Sequence, residues 1–149
     1  MHNLKCWQVL AILILGICSW NRIAIGAETT NGVALPNFAI LGTRLDAQQS
    51  LWQNSNASTH PKQIAIDYNS KGIVYGFACE YQVAESTNLF SKLQAAVNDQ
   101  VKVTPKISQT NFVFWRNEDR KFAVQLFPEE DGKSIRLVVV SVDKQIRSK

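Results

Sequence analysis

Few residues in this sequence could act as nucleophiles, bases or metal ligands. It contains three cysteines and two histidines, and only Cys79 and His60 lie beyond residue 27. A nucleophilic triad needs an imidazole beside its nucleophile, whereas His60 lies in a polar segment far in sequence from Cys79. One cysteine and one histidine are also too few for a Cys/His zinc site. The sequence therefore predicts no catalytic triad, no metal and no cofactor, and it predicts that Cys79 is a buried, inert thiol.

Carboxylate chemistry is the remaining catalytic hypothesis. Glycosidases need only two well-placed carboxyl groups, and acidic clusters occur at Glu118 and Asp119 and at residues 129–131. Both clusters lie in polar segments between apolar runs, where Asp and Glu are ordinary turn residues. Glu80, within a long apolar strand, is a further candidate acid. These residues keep open a carboxylate-dependent hydrolase of an envelope polymer.

Aromatic side chains give a stronger functional indication. Trp52, Tyr68, Phe114 and Trp115 lie near predicted turns or on strand faces. Side chains alternate between the two faces of a strand, so Phe114 and Trp115 point to opposite sides. Unless both faces of the sheet are covered, one set of apolar side chains is exposed and can bind a partner. We therefore expect these four residues to contribute to a binding surface for another protein or an envelope component.

The first 27 residues have the pattern of an export signal. Lys5 and the amino terminus provide a short positive start, residues 9–18 form an apolar core, and small residues follow between Ala24 and Ala27. Polar residues interrupt the apolar run from position 19, so it is shorter than the roughly twenty residues of a spanning helix. We expect cleavage and export to the periplasm or the exterior. The alternative is an uncleaved anchor, which would be the protein's only link to a membrane.

Removal of this segment lowers the charge of the protein. The chain has 16 Lys and Arg against 12 Asp and Glu, a formal charge of +4. Lys5 and Arg22 leave with the signal, so 14 basic residues remain against 12 acidic ones, a charge of +2. Nucleic-acid-binding domains carry a clustered basic face, which this sequence lacks. We therefore expect no nucleic-acid partner, and we expect the basic tail at 144–149 to be solvated.

Two helices are predicted within a single domain at residues 36–143. Residues 28–35 are polar and aperiodic, which predicts a flexible lead-in. The segment from Thr43 to about Gln53 is predicted to be helical because Thr43-Arg44-Leu45-Asp46 is close to a capping box. A second helix is predicted after Ser86 or Thr87, where apolar residues recur on one helical face.

The strands are predicted from alternating apolar residues. A hairpin is expected at about residues 64–83, and a meander of three strands at about residues 112–142. The resulting order is α-β-β-α-β-β-β. We predict an α+β fold in which two helices pack on one face of a single antiparallel sheet. About 120 residues are enough for such a core without a disulfide.

One segment resembles a known family. Ile40-Leu41-Gly42-Thr43-Arg44-Leu45-Asp46, continuing to Leu51-Trp52, is similar to the opening helix of small bacterial envelope proteins of the SmpA/OmlA type. The order of helix and then hairpin also resembles the architecture of beta-lactamase-inhibitor proteins, which consist of tandem helix–sheet units. Both resemblances imply binding or scaffolding without catalysis.

The leading hypothesis is therefore an exported, non-catalytic binding or assembly module of the cell envelope. The carboxylate-dependent hydrolase is the rival hypothesis. A secreted inhibitor or immunity-type protein is a third, and it differs from the first only in its partner.

Overall fold

The computed structural model describes residues 32–46 and 50–147, which belong to a compact unit at Asn31–Lys149. The predicted export signal and the first half of the predicted lead-in, residues 28–31, lie outside the described residues. Within the described part, no helix is both long enough and apolar enough to cross a membrane.

Six strands form one antiparallel sheet in the order β1-β2-β6-β5-β4-β3. Their bounds are Gln63–Tyr68 for β1, Val74–Gln82 for β2, Ile107–Gln109 for β3, Phe112–Asn117 for β4, Phe122–Pro128 for β5 and Ser134–Ser141 for β6. The predicted single antiparallel sheet is confirmed, with one strand more than expected. The additional strand, β3, has only three residues, which is too short to show an alternating pattern.

One helix, α1 (Leu89–Val101), covers one face of this sheet. Its buried residues recur every four positions, at Leu89, Leu93, Val97 and Val101, and form a single apolar stripe. The helix begins after Asn88, whose backbone has a left-handed conformation with φ of 57°. The predicted second helix is therefore confirmed, although it starts slightly later than expected.

The predicted first helix, from Thr43 to Gln53, is wrong for the residues that the structure describes. The Thr43 hydroxyl donates to the carbonyl of Ile40, three residues earlier, at 2.8 Å. The Thr43 carbonyl accepts from the Val74 amide at 2.9 Å, and Trp52 forms an antiparallel bridge with Pro36. Both ends of the segment thus pair with other parts of the chain, which outweighs its local helix propensity. The observed order is β-β-α-β-β-β-β, with a short helix at the end.

Residues 33–35, expected to belong to a flexible lead-in, are buried. Ala34 is fully buried, its amide donates to the Thr59 carbonyl at 2.8 Å, and its carbonyl accepts from the Tyr81 hydroxyl at 2.6 Å. The folded domain therefore begins before Pro36. At the other end, the first residues of the predicted basic tail form the one-turn helix α2 (Lys144–Arg147).

We call the described residues before β1, 32–46 and 50–62, the amino-terminal segment, and the face of the sheet toward α1 the covered face. The core lies between α1, the amino-terminal segment and the covered face. Phe38 and Phe122 meet edge to face with 5.5 Å between ring centroids. The strand residues of this core are Phe77, Cys79, Tyr81, Val113, Trp115, Phe122, Val124, Leu126, Ile135, Leu137 and Val139. This packing fixes which face of every strand points away from α1.

Candidate functional site

The face of the sheet that points away from α1 is the candidate functional site, and we call it the open face. Residues directly opposite each other on paired strands share a face, so the strand register defines its rows. One row crosses all six strands, and we call it the central row. It consists of Ala65, Ala78, Val138, Gln125, Phe114 and Ile107.

The central row is mainly apolar and accessible to solvent. Ile107, on the edge strand β3, is 43% exposed. Ala65 is exposed, whereas Ala78, Val138 and Phe114 are half-buried by their neighbours in the sheet. Gln125 is the only polar side chain in the row. It lies between Val138 and Phe114, so the row has an apolar part on each side of it. Apolar side chains grouped on an accessible face are a feature of binding surfaces rather than of scattered surface residues.

Charged side chains flank the central row on both sides. Arg116 pairs with Glu118, with 2.6 Å between Nε and Oε1. Arg136 pairs with Glu129, with 2.5 Å between the corresponding atoms. Both arginines of the open face are therefore neutralised by a carboxylate of the same chain.

Two further carboxylates of the open face have no such partner. Within the described residues, neither Asp67 nor Glu80 forms an ion pair, and Glu80 accepts only the Gln82 side-chain amide at 3.2 Å. Asp67 lies over Gly76, where a Cβ atom would come within 3.1 Å of its Oδ2. The β1–β2 side of the open face is therefore acidic.

The four aromatic residues expected to form a binding surface are not brought together. Phe114 lies on the open face. Tyr68, 46% exposed at the end of β1, is four strand spacings from β4, or about 19 Å. Trp52 lies in the amino-terminal segment, and its ring meets the His60 ring edge to face with 6.2 Å between the ring centroids.

Trp115 is a core residue, which corrects the expectation that it contributes to a binding surface. It is fully buried, and its indole Nε1 donates to Asn98 Oδ1 at 2.7 Å. Alternation along β4 directs it toward α1 and directs Phe114 away from α1. Both residues were predicted to be binding residues because sequence patterns do not show which face of the strand the helix covers.

Sequence reasoning missed most of the central row. Ala65, Ala78 and Val138 are ordinary strand residues, and only the strand order places them beside Phe114. That order depends on β6 inserting between β2 and β5. The one available signal was the run of apolar residues on both faces of β6, a pattern typical of a central strand or of a strand covered on each side.

The candidate catalytic carboxylates lie far apart. Glu80 is on β2 and Glu118 follows β4, so three strand spacings separate them, or about 14 Å before any offset along the strands. Paired glycosidase carboxyls are about 5–9.5 Å apart. Asp119 is exposed in the β4–β5 turn. This arrangement offers no support for a hydrolase built on these three residues.

Cys79 is confirmed as a buried thiol. It is fully buried, and burial raises its pKa to about 12, so little reactive thiolate forms near neutral pH. In the described part of the chain, no three residues among His, Cys, Asp and Glu are grouped as metal ligands. His60 contacts Trp52 and lies in an exposed loop.

Comparison with known proteins gave no match to a family model, to a characterised protein or to a solved structure. The resemblance to SmpA/OmlA-type and beta-lactamase-inhibitor proteins therefore stays a prediction.

Proposed function

We propose that this protein is an exported, non-catalytic binding module whose open face docks another protein of the cell envelope or the exterior. The central row carries the proposal because it crosses all six strands and remains accessible on the face opposite α1. The occupant we propose is a protein surface with apolar side chains for this row and at least one basic group.

The apolar part of the partner follows from the shape and composition of the central row. Val138 and Phe114 are close to the middle of the sheet, and Ile107 extends the row to an edge. Burying such side chains against a partner removes apolar surface from water, which is favourable by about 25 cal/mol per Å².

The basic group of the partner follows from the charges of the open face. Arg116 and Arg136 already have carboxylate partners, whereas Asp67 and Glu80 have none among the described residues. A lysine or arginine of the partner placed over β1 and β2 would pair with these carboxylates. Such complementarity orients a complex and increases its rate of formation.

Export rests on the pattern of the first 27 residues and is part of the same proposal. Sequencing the amino terminus of the protein recovered outside the cytoplasm tests it. A chain that begins near Ala27 or Glu28 supports a cleaved signal. Recovery only in the cytoplasm would refute export, and a membrane-bound chain with an intact amino terminus would identify an anchor.

Site-specific cross-linking in cells that make the protein tests the docking surface. A photoreactive benzoylphenylalanine replaces Phe114 on the open face in one variant and the exposed Ser91 of α1 in a control variant. We expect one defined adduct from position 114 and none of the same mass from position 91. Equal adducts from both positions, or none from position 114, would contradict docking on the open face.

The proposed role of the Asp67 and Glu80 carboxylates in docking is tested by removing their charges. Asp67→Asn together with Glu80→Gln should reduce the yield of the adduct at position 114 severalfold. The matched change of two exposed carboxylates outside the open-face rows, Glu85→Gln with Glu130→Gln, should leave the yield unchanged. If both pairs of substitutions act equally, the partner does not recognise Asp67 and Glu80.

A further inference from the structure

A cleft on the α1 side of the sheet is separate from the open face. It lies between the amino-terminal segment, the last turns of α1 and the β4–β5 turn, and its volume is about 480 Å³. Small-molecule sites are commonly about 300–1,000 Å³. Apolar side chains form part of its wall, namely Val33, Leu35, Ala39 and Ala96.

Arg120 is held in a defined position at this cleft. Its backbone amide donates to Asn117 Oδ1 at 2.8 Å, and its Nη1 donates to the Gln100 carbonyl at 3.3 Å. The guanidinium carbon lies 5.1 Å from the centroid of the Phe122 ring, a distance at which a cation is attracted to the aromatic face. The first contact fixes the backbone at Arg120, and the other two hold the guanidinium between α1 and β5.

Among residues 32–46 and 50–147, the charge of Arg120 has no carboxylate counterpart. The other charged residues of the cleft, Asp99 and Lys102, pair with each other at 2.6 Å. The cleft therefore presents one uncompensated cation beside an apolar wall.

Amide side chains supply further hydrogen-bonding groups around the cleft. Asn37, Gln53 and Asn54 line it together with Gln100, whose Nε2 donates to the Pro36 carbonyl at 3.0 Å. Primary amides both donate and accept hydrogen bonds, so they fit a neutral polar ligand group and add no charge.

We infer that this cleft binds a carboxylate attached to an apolar body, with the carboxylate on the guanidinium of Arg120. A planar guanidinium matches a carboxylate in two parallel hydrogen bonds, and of the Arg120 guanidinium only Nη1 donates a hydrogen bond in the described part of the chain. The apolar body would contact Leu35 and Ala96. A free organic acid and the carboxyl end of an apolar peptide share this chemistry, and the test below distinguishes them.

Titrations followed by two-dimensional ¹H–¹⁵N NMR on the full-length protein test the inference. The probes are hexanoate and an apolar tripeptide with a free carboxyl end, each beside its uncharged amide. We expect the carboxylates to shift the amide signals of Ala39 and Ala96 and the Nε–H signal of Arg120, and the uncharged amides to leave them unchanged. A shift with hexanoate alone identifies a free acid, and a shift with the tripeptide alone identifies a peptide end.

Two outcomes would overturn the inference. One is the absence of any shift with all four probes up to tens of millimolar, and the other is an equal shift with the carboxylates and their amides. Arg120→Gln should weaken binding about tenfold or more, whereas Arg116→Gln, on the open face, should not change it. Should Arg120→Gln fail to fold, Arg120→Lys keeps the charge without the planar fork, and unchanged affinity in that variant would refute the two-bond geometry.

Discussion

The two faces of β4 differ although they consist of alternating residues of one short strand. Val113 and Trp115 point toward α1 and are fully buried, whereas Phe112 and Phe114 point away and are half-buried. Folding accounts for apolar residues on the covered face because they fill the core. On the open face the same residue types gain less from folding, which is why the open face, and not the covered face, is the surface proposed for docking.

The largest expected change in stability comes from a pair of alanine substitutions on β4 that compares its two faces. Trp115→Ala should lower the free energy of unfolding by about 3–5 kcal/mol, because it leaves a cavity in the core and removes the donor to Asn98. Phe114→Ala should lower it by less, about 1–2 kcal/mol, because the ring is only half-buried and loses less contact area. Urea unfolding at equilibrium measures both values. Similar losses in the two variants would show that the open face is packed as tightly as the covered face.

The Cys79 thiol allows a test that depends on pH. Burial raises its pKa from the usual 9.0 to about 12 in the folded protein, so the unfolded chain loses the thiol proton first. The contribution to stability is complete below pH 9 and is lost as the pH rises from about 9 toward 12. The free energy of unfolding should fall by about 3 kcal/mol over this range from this group.

Cys79→Ala is the control for this effect. It removes the thiol, so stability should decrease less steeply above pH 9 than in the parent protein. Burial raises the pKa of Tyr81, and the neighbouring Cys79 raises it further, so Tyr81 contributes in the same direction in both proteins but less in the variant. The difference in slope between the two proteins therefore includes both groups. Identical alkaline slopes would mean that the thiol is accessible to water and that the covered face is looser than the structure indicates.

The smallest expected change in stability concerns Gly76, where the open face is crowded. A Cβ atom at this position would lie 3.1 Å from Asp67 Oδ2 and 3.3 Å from the Val139 carbonyl oxygen. We expect Gly76→Ala to destabilise the protein by about 1 kcal/mol, and Asp67→Ala in the same chain to restore part of the loss. Thermal unfolding of the single and double variants separates the two contacts. No recovery in the double variant would assign the whole cost to the backbone oxygen.

Sequence patterns predicted the elements that local periodicity defines. The stripe from Leu89 to Val101 and the alternation of β1, β2, β4, β5 and β6 gave one helix and five strands near their observed positions. The prediction of a helix from Thr43 was wrong because the backbone of Thr43 pairs with Val74. This contact joins distant parts of the chain. β3 was too short to be recognised.

The candidate site was less accessible to sequence analysis than the fold. Phe114 was identified, but the central row exists only because β6 lies between β2 and β5. The position of Arg120 depends on Gln100, Asn117 and Phe122 from separate elements. Such contacts between distant parts of the chain leave no periodic trace in the sequence.

The central position of β6 also governs how the domain can fold. The β1–β2 hairpin and the β3–β5 meander are separate pieces until β6, the last strand of the sheet along the sequence, pairs with both of them. The sheet therefore cannot close before β6 has been synthesised. Pairing of β2 with β6 across more than fifty residues predicts slow, late sheet formation, and loss of the last strand would leave two unjoined edges exposed to aggregation.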